Sequence, residues 1–213
     1  MTIARPILLV GGAPRVPIDA IRHFTAAASG TTALAVQARL RAQGREPQLL
    51  LSLDASPGAT ATRYSDRDAL ENALGGWIAR HPDGCVVMSA AVNDYRVATV
   101  EHWEGGEVRA LRPGEKLPSG ADEVVIRLRQ ATKLIDRLRP EFGLRGPIVG
   151  FKYEAAATVL ASAEALRRRV GAAVVVANSL CGTVQALLDA SGCEPQSGRE
   201  PLLDALAARI AGL

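Results

Sequence analysis

The chain is poor in the side chains that hold structural metal ions. Its 213 residues include three cysteines and three histidines, and no Cys-x-x-Cys spacing occurs. Because a structural zinc site takes four thiolate or imidazole ligands at short spacings, we expect no metal held by protein side chains. Cys85 and Cys181 lie in or beside apolar runs, which predicts a buried, reduced thiol at both positions.

Long apolar runs are also missing. No segment approaches the roughly 20 consecutive apolar residues that a membrane-spanning helix needs, and the first residues do not have the layout of a signal peptide. The net charge of +3 is small, so the strongly basic balance of a nucleic-acid-binding protein is not seen. We therefore expect a folded cytoplasmic protein with neither a membrane nor a nucleic acid as partner.

Lysine is scarce although arginine is abundant. Only three of the 25 basic residues are lysines, namely Lys116, Lys133 and Lys152. An ammonium group is a compact point charge on a mobile stem, which suits a phosphate group. The alternative is that three lysines survive at arbitrary positions in an arginine-rich chain, and composition alone does not decide between the two.

Short apolar runs alternate with helical segments through most of the chain. The pattern predicts buried strands at 7–10, 48–53, 85–89, 148–152 and 173–177, and helices at 29–43, 66–80 and 155–170. Such alternation is typical of a parallel sheet covered on both faces. We expect an α/β, Rossmann-like three-layer fold with a mainly parallel central sheet, closed by a strand at 184–188 and a helix at 200–210.

One insertion, at about 97–130, breaks this alternation. Segment 100–110 contains the turn sequence EGGE, and segment 123–129 has Val124, Ile126 and Leu128 at every second position. Both predict antiparallel strands that form a flap, because strict alternation is typical of a half-buried strand. The sequence has no internal repeat, low-complexity tract or linker, so residues 1–213 are expected to form a single domain.

The residues that follow the predicted parallel strands are the first candidates for a ligand site. Ligands of such sheets bind beyond the carboxyl ends of the strands, so the residues after Val10, Ser89, Gly150 and Val176 should converge on one crevice. The dinucleotide fingerprint GxGxxG is absent. An oxidoreductase that uses nicotinamide or flavin is therefore the least favoured function.

Two of these loops have a suggestive composition. Gly11 and Gly12 allow the backbone to approach an anion, although a tight strand-to-helix turn explains them equally well. Segment 89–96 places small residues before Asn93 and Asp94. The Asp94 carboxylate can accept hydrogen bonds from a base or a ribose, and an ordinary capping loop is the alternative.

Six segments, in order along the chain, resemble motifs of the phosphopantothenoylcysteine synthetase family. They are VPID with Arg22 (16–22), AAVNDY (90–95), GEKLPS (114–119), ATKLI (131–135), VGFK (149–152) and VANS (176–179). All three lysines lie within these segments, which argues against arbitrary survival. The chain is therefore identified as a divergent member of that family, with the resemblance covering roughly residues 6–190.

The resemblance implies a two-step ligase that joins a small-molecule carboxylate to an amine. The carboxylate of 4′-phosphopantothenate attacks the α-phosphate of CTP, or of ATP in some members, and pyrophosphate leaves. The amine of cysteine then displaces the nucleotide from the acyl-nucleotidylate. Mg²⁺ would be bound by the phosphates rather than by a protein cage. Family members are commonly dimers to which the flap contributes, so a homodimer is expected.

The resemblance also implies roles for individual residues. Lys116 and Asn178 are the implied catalytic residues, with Lys116 on a mobile loop neutralising charge as the α-phosphate is attacked. The implied nucleotide-binding residues are Gly11, Gly12, Ala91, Asp94, Lys133, Phe151 and Arg169. Among them, Phe151 would pack against the base or ribose, and Arg169 lies near the place of triphosphate-binding lysines.

The segment that the resemblance implies for binding the acyl substrate differs from the family motif. Where the family has (I/F)(S/T)N(R/H)SSGKMG, this chain has FTAAASGTTA, so that Ala26 replaces the asparagine that holds the acyl-nucleotidylate. Only Ser29 and Gly30 remain of the polar motif. The change is consistent with a ligase for another acyl substrate or nucleophile, or with a non-catalytic, nucleotide-binding paralogue. A lysine kept at position 116 favours the enzyme, because binding alone does not need it.

Overall fold

The computed structural model describes residues 4–213, in which an eight-stranded sheet forms the centre. The strands in chain order are β1 (Ile7–Gly11), β2 (Val16–Pro17), β3 (His23–Phe24), β4 (Gln48–Ser52), β5 (Thr62–Tyr64), β6 (Cys85–Met88), β7 (Tyr95–Glu104), β8 (Glu107–Ala110), β9 (Glu123–Gln130), β10 (Ile148–Glu154), β11 (Val174–Ser179), β12 (Gln185–Asp189) and β13 (Gly192–Pro195). The order across the central sheet is β13-β12-β11-β10-β6-β1-β4-β5. The six strands from β5 to β11 in this order are parallel, and β12 and β13 are antiparallel.

Helices cover both faces of this sheet because its strands are apolar on both sides. The helices are α1 (Thr31–Ala42), α2 (Arg67–Arg80), α3 (Leu134–Arg137), α4 (Val159–Val170) and α5 (Arg199–Gly212). Along β1, Leu8 and Val10 pack with α2, α3 and α4, whereas Ile7 and Leu9 pack with α1 and α5. Burial of each such side chain stabilises the fold by about 1.5–3 kcal/mol. The predicted α/β fold is confirmed.

The connections of the chain create a switch point between β1 and β6. After β1 the chain moves to one side of the sheet through β4 and β5, and after β6 it moves to the other side. The loops that follow β1 and β6 therefore leave from neighbouring carboxyl ends. They are joined directly, because the Ser89 amide donates to the Val10 carbonyl (3.0 Å) and the Ala91 amide donates to the Gly12 carbonyl (2.9 Å).

The insertion forms a separate three-stranded antiparallel sheet in the order β8-β7-β9. It begins at Tyr95, slightly earlier than predicted, because β7 pairs with β9 from Tyr95 opposite Gln130. Val100 and His102 are buried on β7, whereas Ile126 and Leu128 on β9 are 38% and 46% exposed. The flap thus has an apolar strand that is only partly covered within the described chain.

Some element bounds differ from the prediction for local reasons. Residues 155–158 form a turn rather than the first turn of α4, since the amides of Thr158 and Val159 both donate to the Ala155 carbonyl. The short strands β5 and β13 were not predicted. Their sequences, TRY and GCEP, are too short and too polar to show a strand period.

Candidate functional site

The glycines after β1 are required by close packing within the protein. A Cβ atom at Gly11 would lie 2.9 Å from the Cβ of Ala33 in α1. Gly12 has a φ of +84°, and its Cβ would lie 2.2 Å from Ser52 Oγ. Because the side of Gly12 is filled by protein atoms, the structural explanation accounts for both glycines. A ligand at this loop would therefore be contacted by the main-chain atoms of Gly11 and Gly12.

The same packing places the start of α1. Gly30 immediately precedes α1 with a φ of +76°, and a Cβ there would lie 3.0 Å from the Cβ of Ala55. Ser29 is exposed, and its carbonyl accepts a hydrogen bond from Ser56 Oγ at 2.9 Å. Ala26 is exposed on the segment between β3 and α1. Of the three predicted acyl-region residues, Ala26 and Ser29 are therefore exposed, whereas Gly30 is buried beside Gly12.

Arg63 holds the neighbouring loop, a role that sequence reasoning did not find. Its Nη1 atom donates to the carbonyls of Ser52 (3.0 Å) and Ala55, and its Nη2 atom donates to those of Ser56 (2.9 Å) and Ala59 (2.6 Å). Four carbonyls on one guanidinium stabilise a loop in which Ser56 has a φ of +42°. No period or motif marks an arginine in so short a strand, so the sequence carries no signal for this role.

A pocket of about 160 Å³ lies between the carboxyl-terminal parts of β6 and β10, and we call it the β6–β10 pocket. Met88, Ala90 and Val92 line it on the β6 side, and Leu166 of α4 contributes to the opposite wall. The lining includes four of the predicted nucleotide-binding residues: Asp94, Lys133, Phe151 and Arg169. Four residues that are far apart in the sequence therefore meet in one pocket, and their role in nucleotide binding stays a prediction.

The cations of the β6–β10 pocket are paired with carboxylates. The Nζ atom of Lys133 lies 3.1 Å from Asp94 Oδ2, and Nε of Arg169 lies 3.0 Å from Asp136 Oδ1. All four side chains are partly exposed, and such pairs contribute only about 0–1 kcal/mol each. A phosphate group can therefore displace or join these carboxylates at little cost.

Lys152 is a further cation of this pocket that the sequence left without an individual role. Its Nζ atom donates to Glu154 Oε1 at 2.8 Å, and it lines the pocket beside Phe151. The hydrogen bond from Lys152 lowers the pKa of the Glu154 carboxyl. The pocket thus contains two of the three lysines of the chain together with Arg169.

Phe151 lines the pocket along its strand, but its ring packs elsewhere. It contacts the apolar cluster that α1 and α5 form, on the face opposite to α4. Gly150, its neighbour, faces α4, since a Cβ there would lie 3.1 Å from Leu166 Cδ2. Because successive side chains of a strand point to opposite faces, the ring does not face the α4 side of the pocket.

Arg67 joins the two segments that supply Asp94 and Lys133. It is 8% exposed, and its guanidinium donates to the carbonyls of Asn93 (3.4 Å) and Thr132. Nε of Arg67 donates to Glu71 at 2.8 Å. Burial raises the pKa of the Glu71 carboxyl, but hydrogen bonds from Arg67 and Arg137 outweigh this effect and lower it. The ionised Glu71 therefore keeps Arg67 in place under the pocket.

The remaining predicted residues lie outside the β6–β10 pocket. Ala91 is exposed and its backbone is bound to Gly12, as described above. Lys116 is exposed on the connection between β8 and β9. Asn178 lies on β11, where its Oδ1 atom is buried with no hydrogen-bond partner among the described residues. Gln185 lies opposite Asn178 on β12 and its Oε1 atom is likewise unpaired, so a 180° rotation of either amide would let the two side chains bond to each other.

The two thiols that were predicted to be buried differ. Cys85 is buried in β6, and burial raises the pKa of its thiol to about 12. Cys181 is exposed, so that prediction was wrong: the chain turns between β11 and β12 at this residue and leaves the core. Hydrogen bonds from Thr183 and Ser179 lower the pKa of the Cys181 thiol to about 7.

Two properties of residues 4–213 bear on possible ligands. Within this range there is no group of three or more histidine, cysteine, aspartate or glutamate side chains that could hold a metal ion. None of the helices in the same range has both the length and the apolar character that crossing a membrane requires.

Solved structures with a similar fold include three related proteins. The DNA/pantothenate metabolism flavoprotein from Streptococcus pneumoniae superposes with a TM-score of 0.77 at 17% identity, over 98% of this chain and 99% of that one. The C-terminal domain of the coenzyme A biosynthesis bifunctional protein CoaBC gives a TM-score of 0.68 at 21% identity, over 98% of this chain and 92% of that one. A Cab2 variant in complex with phosphopantothenate-cysteine gives a TM-score of 0.74 at 13% identity, over 98% of this chain and 86% of that one.

Sequence comparison agrees with these structures. The coenzyme A biosynthesis bifunctional protein CoaBC of Thermococcus kodakarensis is 28% identical over 183 residues, which are 82% of this chain and 41% of that protein. This chain therefore spans less than half the length of that curated relative. The family model of the DNA/pantothenate metabolism flavoprotein C-terminal domain matches residues 3–191. The family predicted from the six motifs is confirmed: the chain belongs to the DNA/pantothenate metabolism flavoprotein C-terminal domain family.

Proposed function

We propose that this protein is a cytoplasmic, nucleotide-dependent acid–amine ligase that activates a carboxylate as an acyl-nucleotidylate. Its substrates are 4′-phosphopantothenate and cysteine, or a related carboxylate and amine. The observation that carries the proposal is the meeting of Asp94, Lys133 and Arg169 in the β6–β10 pocket. The named activities of the relatives, in coenzyme A biosynthesis and with phosphopantothenate-cysteine, support the same substrate class.

We assign the phosphates of a nucleoside triphosphate, either CTP or ATP, to the β6–β10 pocket, whose volume of about 160 Å³ holds only part of such a ligand. Asp94 accepts hydrogen bonds from the base or ribose, while Lys133, Lys152 and Arg169 face the phosphates. Mg²⁺ would be brought with the nucleotide and would neutralise charge on its phosphates, because such ions keep few protein ligands in phosphate sites.

In the first step, a carboxylate oxygen of the acyl substrate forms a bond to the α-phosphorus, and the bond to the bridging oxygen of pyrophosphate breaks. Lys116 neutralises the charge that develops on the phosphate oxygens in this step. In the second step, the amine nitrogen attacks the acyl carbon, the nucleoside monophosphate leaves, and the amine loses a proton. Asn178, on β11, orients the acyl-nucleotidylate in this step.

A non-catalytic, nucleotide-binding paralogue is the second candidate, and Ala26 is the observation that favours it. The exposed methyl group of Ala26 offers no hydrogen bond to an acyl-nucleotidylate. Because the loss affects the acyl part of the site and spares the β6–β10 pocket, nucleotide binding alone does not distinguish the two candidates. Turnover does.

The test is an incubation of the purified protein with Mg²⁺, CTP or ATP, and 4′-phosphopantothenate, with and without cysteine. Pyrophosphate release and product mass are measured together. The ligase predicts pyrophosphate release that depends on the carboxylate, and phosphopantothenoylcysteine when cysteine is present. If the nucleotide binds but neither product forms, the proposed ligase activity on these substrates is contradicted and the binding-only candidate gains support.

Ala26→Asn is expected to raise formation of the adduct by about 10²-fold or more, because one well-placed hydrogen-bond donor is worth about 10²–10³ in rate. Ala27→Asn is the matched control: the same side chain is added at the next exposed position and should leave the rate unchanged. Equal effects of the two variants would show that position 26 is not the position that binds the intermediate.

We also propose that the protein is a homodimer that uses the flap. The exposed stripe on β9, Val124, Ile126 and Leu128, suits a second copy of the chain, since apolar side chains at strand spacing form one face. Ile126→Glu is expected to give a monomer in sedimentation velocity, whereas Arg127→Glu, on the other face of the strand, should sediment as the wild type does. A wild-type monomer at micromolar concentration would contradict the proposal.

A further inference from the structure

The segment that carries Lys116 is tied to the turn between β2 and β3. We call residues 112–119 the Lys116 loop. The Leu117 amide donates to Asp19 Oδ2 at 2.9 Å, and the Ala20 amide donates to the Glu115 carbonyl at 3.0 Å. These two hydrogen bonds lie on either side of Lys116. The Lys116 side chain is exposed, while the backbone on both sides of it is held.

Asp19 is the centre of this contact. None of its side chain is exposed, and its two oxygens accept four hydrogen bonds. Oδ1 accepts from the amides of Ile21 (2.8 Å) and Arg22 (2.6 Å), and Oδ2 accepts from the Leu117 amide and from Arg22 Nη1. Burial raises the pKa of the Asp19 carboxyl, but these hydrogen bonds outweigh it and lower the pKa well below its usual range.

Further contacts limit the shape of the Lys116 loop. Nη1 of Arg22 lies 3.4 Å from the Leu117 carbonyl oxygen, and Leu117 itself is only 9% exposed. Within the loop, Glu115 Oε2 accepts from the Arg112 amide at 2.9 Å. The loop thus has one defined arrangement relative to the turn that Asp19 organises.

We propose that Asp19 is a positioning residue for Lys116, which couples the Lys116 loop to the segment that leads through β3 to Ala26. The inference rests on the proposed function, since it assigns Lys116 to the attacked phosphate. A carboxylate is needed because two acceptor oxygens face four donors, whereas an amide has one oxygen and turns its own N–H groups towards these donors. Loss of a partner leaves buried donors unpaired.

The tether itself is tested by hydrogen exchange followed by NMR, which needs no turnover. Asp19→Ala is expected to speed exchange of the Leu117 and Ala20 amides by at least about 10-fold, because local opening becomes easier. Asp122→Asn is the matched control: Asp122 accepts from the Gly105 amide at 3.2 Å, at the far end of the same connection. It should leave those amides unchanged. Unchanged exchange in Asp19→Ala would overturn the inference.

The coupling is tested by a double-mutant cycle with Lys116→Ala. Asp19→Ala is expected to lower kcat by about 10- to 100-fold with little change in the KM for the nucleotide, since a misplaced catalytic group costs rate. The double variant should be no slower than Lys116→Ala alone, because each change removes the same contribution of Lys116 to kcat. Additive effects would overturn the inference, since Asp19 would then act independently of Lys116.

Failure of the proposed function is distinguishable from failure of this inference. If the wild type releases no pyrophosphate with any carboxylate tested, the ligase proposal fails and the catalytic part of the inference falls with it. The exchange of the Leu117 and Ala20 amides still decides whether Asp19 holds the loop. Asp19→Asn is expected to speed this exchange as Asp19→Ala does, and slow exchange in Asp19→Asn would contradict the requirement for a carboxylate.

Discussion

Replacement of Lys116 by alanine is expected to slow pyrophosphate release by about 10²–10³-fold, while the affinity for the nucleotide stays close to that of the wild type. The reason is a division of tasks between two places. The β6–β10 pocket, with Lys133, Lys152 and Arg169, supplies the ground-state contacts to the nucleotide. Lys116 is exposed on a loop outside this pocket and acts on charge that develops only in the transition state.

The measurement is single-turnover pyrophosphate release beside equilibrium binding of the nucleotide. Arg112→Ala is the matched control, because Arg112 is an exposed cation of the same loop and tests general electrostatic attraction. A higher KM with unchanged kcat in Lys116→Ala would show that the residue contributes only uniform binding, and the catalytic assignment would be wrong.

Gly12→Ala is expected to lower the free energy of unfolding by roughly 2–5 kcal/mol. A left-handed backbone costs a residue with a Cβ roughly 1–2 kcal/mol, and overpacking adds roughly 1–3 kcal/mol. Both apply at Gly12, where φ is +84° and the new Cβ would lie 2.2 Å from Ser52 Oγ and 2.7 Å from Ala55 Cβ. The loop of Ser52 and Ala55 cannot yield easily, since Arg63 holds four of its carbonyls.

Gly44→Ala separates the two contributions. Gly44 has a φ of +74°, and no atom lies within 4 Å of the Cβ position, so only the backbone cost of roughly 1–2 kcal/mol applies. Chemical denaturation of both variants gives the comparison. Equal losses of stability would mean that the loop beside Gly12 moves to accept the methyl group, against the packing described for it.

Local patterns were enough to predict most of the fold. Apolar runs such as Ile7–Gly11 and Cys85–Met88 predict buried parallel strands. A strand that is covered on both faces needs apolar side chains at consecutive positions, and such a run is visible in the sequence. The flap is likewise predictable from the apolar residues Val124, Ile126 and Leu128 at every second position of Glu123–Gln130. Elements without a period, such as Thr62–Tyr64, could not be found in this way.

The sequence by itself determined the family, because the motifs record it in short runs of consecutive residues such as 90–95 and 149–152. Four predicted residues also meet in the β6–β10 pocket, but Lys133 precedes α3 and Arg169 lies in α4, so the packing of the helices and not the strand pattern brings them together. Only the tertiary structure decided which distant residues meet. Asp19 and Leu117 are 98 positions apart, and Arg63 binds carbonyls of a preceding loop, so no local period records either contact. The exposure of Cys181 and the direction of the Phe151 ring depend in the same way on the path of the chain and on which face of the sheet each helix covers.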